Sequence, residues 1–503
     1  MNSFRLAAWV ATALAVVASG AHAAEVDGTT ALHRAVYGGN VDEAQRLLAA
    51  GADARVANQF GATPMQLAAI AADPAMIRVL LKAGADPESP NAEGQTALMI
   101  VARSGNVEAA RVLLKAGAKV NARERWGGQT ALMWAAAQSQ PEMLRFLVSK
   151  GAKVDERATV RDWQRRVTAE GRPKDMFRGG MTPLLFAARE GCLACAAALL
   201  EAGADINLPD PDGVTPLILA LQNIHWDMAR LLIERGADVN QWDWYGITPL
   251  YMAVDMNTLP IGRRVELPAM DRNTGFDVIT LLLDRDANVN AQLKLRPRHR
   301  QVPYDRYTDP MIVWGTTALL RAAKAGDLPV VKALLAHGAN VNLANSQGVT
   351  PLMAAVGDGH IHDPTRGHNR TEDDALECYA LLKAAGVDVN ARTILGYADA
   401  DLKIRTASDR TALHAAASRG WNRVVKQLLA DGAKLDVLDS DGLSAIDYAL
   451  GRFRKEFNAK FPELHADTVA LLKGAGATRE NPDAKFAPGT TPQITAVVPP
   501  LPY

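Results

Sequence analysis

Short apolar runs and polar, glycine-marked breaks follow one another along this chain in a fixed order. Most cycles open with Thr-Pro-Leu or Thr-Ala-Leu and continue in small apolar residues. Thr is a good N-cap because its hydroxyl accepts an orphan backbone N–H. Pro suits the first helical position, where no N–H is needed. The phrase therefore predicts a helix start, with small residues where a neighbouring helix approaches. A glycine such as Gly105, Gly191 or Gly420 ends this first helix by turning left-handed. A second helix follows, with a leucine pair on its core face, as in Leu113-Leu114, Leu199-Leu200 and Leu428-Leu429. The Gly of a second phrase, Gly-Ala-Asp-x-Asn, ends that helix, and polar residues form a hairpin-like finger leading to the next Thr.

The cycle is periodic. The opening Thr or Ser stands at 30, 63, 96, 130, 182, 215, 248, 317, 350, 411 and 444, with 33 or 34 residues between most neighbours. Copies of the second phrase begin at Gly117, Gly203, Gly236 and Gly338. A helix–turn–helix–finger unit of about 33 residues with a Thr-Pro-Leu-His-x-Ala phrase resembles the ankyrin repeat. Thr30-Ala31-Leu32-His33-Arg34-Ala35 and Thr411-Ala412-Leu413-His414-Ala415-Ala416 come nearest to the full phrase, while Met99, Met133, Leu185 and Met353 replace its His. The resemblance implies an all-α solenoid of about eleven units over residues 24–480. It also implies a protein-binding module, with fingers and first helices bordering a concave groove. Arg34, Asp42 and Glu43 in the first unit, and the degraded Ser444-Ala445-Ile446 in the last, read as polar caps.

Excess spacing locates six insertions. Three lengthen fingers, at about 156–178, 291–314 and 392–409, and three lengthen helix–helix turns, at about 255–275, 357–374 and 451–464. Insertions in repeat arrays map to loops that often mark the binding face. The first finger insertion carries Trp163, Arg165 and Arg166, and the second Arg298, Arg300, Tyr304, Tyr307 and Trp314. Arg with aromatics is the composition of interface anchors. Between them in sequence, a finger tip reads Gln241-Trp242-Asp243-Trp244-Tyr245, and Trp126 occupies a similar tip. Trp126, Trp242, Trp244 and Tyr245 join the insertion residues as candidate partner-binding positions.

Composition narrows the function classes. Hydrophobic residues are 48% of the 503 and charged residues 22%, ordinary for a folded protein. Lys plus Arg and Asp plus Glu are both 55, a balance that argues against nucleic acid as the main partner. Residues 1–23 read as a signal peptide. Arg5 precedes a short apolar run, and Ala21-His22-Ala23 supplies the small-x-small cleavage pattern. No other run is apolar and long enough to span a membrane. Export to a bacterial periplasm is expected, with a mature chain from Ala24. Residues 481–503 hold six prolines and read as an extended tail.

Three cysteines make no disulfide framework. Cys192 falls at the start of a second helix, where thiols are activated, and Cys195 falls in a core column. A local disulfide between them and a plain core role both stay open. His360, His362 and His368 cluster in one insertion, but loose loop clusters of this kind are commonly accidental, so no metal or other cofactor is expected. No phosphate loop, nucleophile elbow or zinc-hydrolase motif is present. The expected function is therefore a non-catalytic adaptor for a periplasmic protein with an acidic patch. The alternatives are a thiol-redox factor using Cys192 and Cys195, and a binder of an anionic envelope polymer.

Overall fold

The computed structural model describes residues 27–162, 178–258, 271–295, 311–357, 371–394, 398–399, 404–405, 407–453 and 464–482. The expected signal peptide and most of the tail lie outside these residues. So do Trp163, Arg165, Arg166, Arg298, Arg300, Tyr304, Tyr307, His360, His362 and His368. The chain divides into two compact units, Met1–Asp162 with Phe177–Pro211, and Trp163–Met176 with Asp212–Tyr503.

The first unit holds five helix pairs: α1 (Ala31–Tyr37) and α2 (Val41–Ala49), α3 (Pro64–Ile70) and α4 (Pro74–Lys82), α5 (Ala97–Ser104) and α6 (Val107–Lys115), α7 (Ala131–Ala137) and α8 (Pro141–Ser149), α9 (Pro183–Glu190) and α10 (Leu193–Glu201). The second holds six: α11 (Pro216–Gln222) and α12 (Trp226–Glu234), α13 (Pro249–Asn257) and α14 (Gly275–Asp284), α15 (Ala318–Ala325) and α16 (Leu328–Ala336), α17 (Pro351–Val356) and α18 (Glu372–Ala384), α19 (Ala412–Ser418) and α20 (Asn422–Ala430), α21 (Ala445–Ala449) and α22 (Ala466–Gly474). Within each unit, first helices pack on the next first helices and second helices on the next second helices. A two-residue antiparallel pair, β1 (Ala398–Asp399) with β2 (Ile404–Arg405), lies in the third finger insertion. The architecture is an all-helical repeat solenoid.

The opening threonine caps nine of the eleven described first helices. Thr30, Thr63, Thr96, Thr130 and Thr182 all accept the N–H three residues on, as do Thr215, Thr248, Thr317 and Thr350. Such a cap contributes about 1 kcal/mol. The His of the phrase serves two elements. His414 Nδ1 accepts the Thr411 N–H at 3.1 Å, which leaves the proton on Nε2 to be donated to Leu443 O of the next finger at 3.3 Å. His33 does the same between Thr30 and Ala62 O. Gln66 reproduces both bonds without an imidazole, from Thr63 N–H and to Ser89 O. Burial pushes the His414 pKa down to about 4, with Arg410 and Arg392 adding to the effect.

The turn between helices differs from the glycine rule. Gly105 and Gly191 do end their helices in the left-handed region. At the matching position three repeats place Ala72 (φ 49°), Ser139 (φ 54°) and Ile224 (φ 62°) instead. Packing of both flanking helices holds these residues there despite the backbone cost.

The Asn of the second phrase proves to be the rung of a ladder. In the second unit Asn240, Asn290, Asn342 and Asn390 each donate through Nδ2 to the carbonyl ending the next repeat's second helix. The acceptors are Asp286, Gly338, Gly386 and Gly432, at 3.0–3.1 Å. Each also accepts, through Oδ1, the N–H two residues beyond, at 2.7–2.9 Å. Asp436 ends the series on Thr478 and Arg479. Asn121 makes the same two bonds in the first unit, to Gly151 O and from Lys153 N–H.

Candidate binding surface

Among the described residues, six fingers turn on one side chain each. Asn58, Asn91, Asp243, Asn345 and Asp439 accept through Oδ1 from the N–H groups two and four residues on, which closes the tip. Glu124 does this work with a longer carboxylate, accepting from Trp126, Gly127 and Gln129 N–H, and it is buried. Successive tips are then tied by one backbone bond. In the first unit Gln59 N–H donates to Asp27 O and Arg125 N–H to Glu93 O. In the second, Trp244 N–H donates to Asp212 O, Lys294 N–H to Tyr245 O and Ser346 N–H to Trp314 O. Within each unit the tips are thus fixed in backbone, and their side chains project from that unit's own finger edge.

Large apolar side chains occupy that edge. Trp126 is 69% exposed and Phe60 62% in the first unit; Trp242 is 49% and Trp244 54% exposed in the second, with Trp314 and Ile394 also exposed. Tyr245 is half-buried, and between the two indoles Asp243 is buried as the turn's hub. The Lys294 ammonium stands 3.1 Å from the centroid of the Trp242 ring, a cation–π pair that orients the indole. Finger insertions grow from closed tips: Val160 bridges Gly179 at the root of the first, and Gln292 bridges Thr317 at the root of the second.

The first helices add a second surface in the first unit. Tyr37 is 50% and Ile70 66% exposed. Arg103 lies 4.9 Å from the Trp134 ring centroid, and the Trp134 Nε1–H is buried without a hydrogen-bond partner. Arg189 covers Phe186 in the same manner at 5.0 Å. In the second unit Met252, Arg321 and Ala354 of the corresponding column are buried, as Phe186 is in the first. Arg321 donates to Asp255 at 2.5 Å and to Thr258 O at 2.9 Å, with both charged groups out of solvent.

Cys192 is the N-cap of α10 and Cys195 is fully buried; the structure joins them in a disulfide. Among the described residues no group of three metal-ligating side chains assembles, and no helix is long and apolar enough to cross a membrane. Phe60, Ile394, Trp134 and the Asp255–Arg321 pair escaped the sequence reading. Phe60 was within reach, because it follows its Asn58 hub by two residues as Trp126 follows Glu124. The pair was not, since single charges in a helix give no sign of burial.

Known proteins share this pattern. A family model of three ankyrin repeats matches residues 8–91, 73–158, 184–293 and 267–363, and a single-repeat model matches 408–440. A Caenorhabditis elegans protein, ankyrin repeat and KH domain-containing protein mask-1, is 32% identical over 130 residues, 26% of this chain and 4% of its own length. The Gallus gallus nuclear factor NF-kappa-B p105 subunit is 31% identical over 202 residues, 32% of this chain and 18% of its own. The chain therefore spans less than a fifth of the length of these relatives. Among solved structures, the Bcl-3 ankyrin repeat domain is 28% identical, with 45% of this chain and 94% of that one covered at a TM-score of 0.38. The human ASB11 ankyrin repeat domain is 22% identical, covering 52% and 99% at a TM-score of 0.40. With matches spread over most of its length, in phase with the helix pairs described above, the chain belongs to the ankyrin-repeat family.

Proposed function

We propose that this chain is a non-catalytic scaffold of the periplasm that holds a partner protein through its finger edge. Ankyrin repeats mediate protein–protein interaction in general, and the finer reading rests on one observation. Trp242 and Trp244 stand half-exposed on a tip whose backbone is fixed by Asp243, beside the ammonium of Lys294. Rigid, exposed indoles lose little conformational entropy on binding and are over-represented among residues that dominate interface energy. Lys294 places a positive charge beside Trp242, which favours a partner with an acidic patch. Export rests on the N-terminal sequence pattern alone, and its test is N-terminal sequencing of the mature chain, with Ala24 expected first.

The binding test uses the tagged mature chain and the variant carrying Trp242→Ala, Trp244→Ala and Tyr245→Ala. One protein should be retained stoichiometrically by the first and lost, by ten-fold or more in affinity, by the second. Equal retention by both would remove this finger from the interface.

A further inference from the structure

We infer that Cys192 and Cys195 form a thiol–disulfide exchange site that oxidises or reduces a cysteine pair in a client protein. The inference is independent of the finger-edge reading. It starts from two columns of the repeat. At the N-cap of the second helix other repeats place Asn40, Asp73, Asn106 and Asp327, whose side-chain oxygens accept an N–H of the first turn. The fifth repeat places Cys192 there, and its Sγ takes that role toward the Cys195 N–H at 3.3 Å. Three residues on, other repeats place Met76, Ala109, Met143, Val330 and Val424, all essentially without exposure, and the fifth places Cys195 at 0%. The ninth repeat also fills the core column with a cysteine, buried Cys378, so Cys195 alone is an ordinary core residue; the fifth repeat alone joins a cysteine there to a second one at the helix cap.

Holding the fold together does not account for the bond. The two residues are three apart with Cα atoms 5.2 Å apart, inside one helical turn, so the disulfide ties no two elements to each other. A loop that short constrains the unfolded chain far less than a long one. The exposure is asymmetric in the way exchange chemistry requires. Cys192 is half-buried at the protein surface, flanked by exposed Leu193 and Ala194, whereas Cys195 is sealed beneath it. An incoming thiolate can therefore reach only the Cys192 sulfur. The N-terminus of α10 favours negative charge on that sulfur, and thiols at helix starts are correspondingly activated.

The step balances with a client dithiol as the co-reactant. A client thiolate attacks Cys192 Sγ, forming a client–Cys192 disulfide and breaking the Cys192–Cys195 bond. The electron pair leaves on Cys195 Sγ, which takes a proton from water. The client's second thiolate then attacks its own sulfur in the mixed disulfide, and the Cys192 thiolate leaves. The client loses two electrons and the Cys192–Cys195 pair gains them; the reverse sequence reduces a client disulfide.

The test uses the full mature chain with Cys195→Ala and oxidised glutathione as the probe. A single glutathione adduct on Cys192 is expected by mass spectrometry. It should form about three-fold faster at pH 7 than on the urea-unfolded chain, with a rate midpoint below the ordinary thiol value of about 8.5. Cys378, buried at 1%, serves as the unreactive internal control. Cys192→Asn, which installs the cap used elsewhere in the chain, should fold and form no adduct at this site. A midpoint at or above 8.5, or adduct formation only after unfolding, would reduce the pair to a structural feature and overturn the inference.

Discussion

Replacing Asn342 by alanine tests whether the asparagine ladder holds the second unit in register. Two bonds are lost: Asn342 Nδ2 to Gly386 O at 3.1 Å, and Asp388 N–H to Asn342 Oδ1 at 2.8 Å. A hydrogen bond contributes a net ~0.5–1.5 kcal/mol, and these groups are exposed enough for water to replace part of each. The expected loss is about 1–2 kcal/mol. In a repeat array that loss falls on one interface, here between the eighth and ninth units, and appears as weakened coupling between neighbours. Urea unfolding followed by helical circular dichroism measures it as a lower midpoint. Asn342→Asp separates the two bonds, since a carboxylate still accepts from Asp388 N–H but cannot donate to Gly386 O. It should lose roughly half as much, about 0.5–1 kcal/mol. If the alanine variant unfolds within about 0.3 kcal/mol of the parent, water substitutes fully for the rung. Helix packing alone would then hold the spacing.

Three further outcomes follow from buried groups. His414 is neutral when folded until pH falls to about 4, but takes up a proton near 6.5 when unfolded. Its contribution is therefore intact above pH 6.5 and is lost as pH falls toward 4, about 3 kcal/mol in all. His414→Gln, which copies the bonding of Gln66, should flatten that part of the stability–pH curve, and an unchanged difference between pH 7 and 4.5 would contradict the assignment. Arg321→Ala leaves Asp255 without its guanidinium in a fully buried site and should cost about 3–5 kcal/mol in urea unfolding; a loss under about 1 kcal/mol would mean solvent reaches the carboxylate. Ile224→Gly relieves a branched side chain at φ 62°, and thermal unfolding should show a gain of up to about 1 kcal/mol. A loss would show that the side chain's packing outweighs the strain.

The repeat itself was legible because its signals are local. Thr at the N-cap and glycine or a tolerated substitute at φ of 49° to 109° each act within a few residues of their own backbone. Spacing alone placed the insertions, and the helices stop where the period breaks, at Asn257, Val356 and Ala449. What the Asn does was hidden, since its partners lie in the following repeat. The buried Asp255–Arg321 pair was hidden for the same reason: its members are 66 residues apart. Exposure of Trp126, Trp242 and Trp244 could be anticipated from their place at turns, whereas the burial of Glu124 could not, because an acidic side chain in a finger ordinarily faces water.

The ladder also explains why surface length varies so freely in this chain. Asn121 reaches Gly151 over 30 residues, while Asn290 reaches Gly338 over 48 and Asn342 reaches Gly386 over 44, yet all three bonds measure 3.0–3.1 Å. Extra residues therefore leave the stack without changing its pitch, and each finger insertion starts from a base already closed by backbone pairing. A scaffold of this kind separates two demands that compete in ordinary domains. Threonine caps, asparagine rungs, small helix residues and the buried tip hubs supply stability repeat by repeat, and the exposed tip side chains are not needed for it. The tips can then carry tryptophans whose exposure would be costly without a partner, because a surface indole contributes to binding what it does not contribute to folding. The expected signature is a dissociation of the two properties: rung and cap substitutions lower the unfolding midpoint, whereas Trp242→Ala and Trp244→Ala leave it within about 0.5 kcal/mol and act on partner affinity alone.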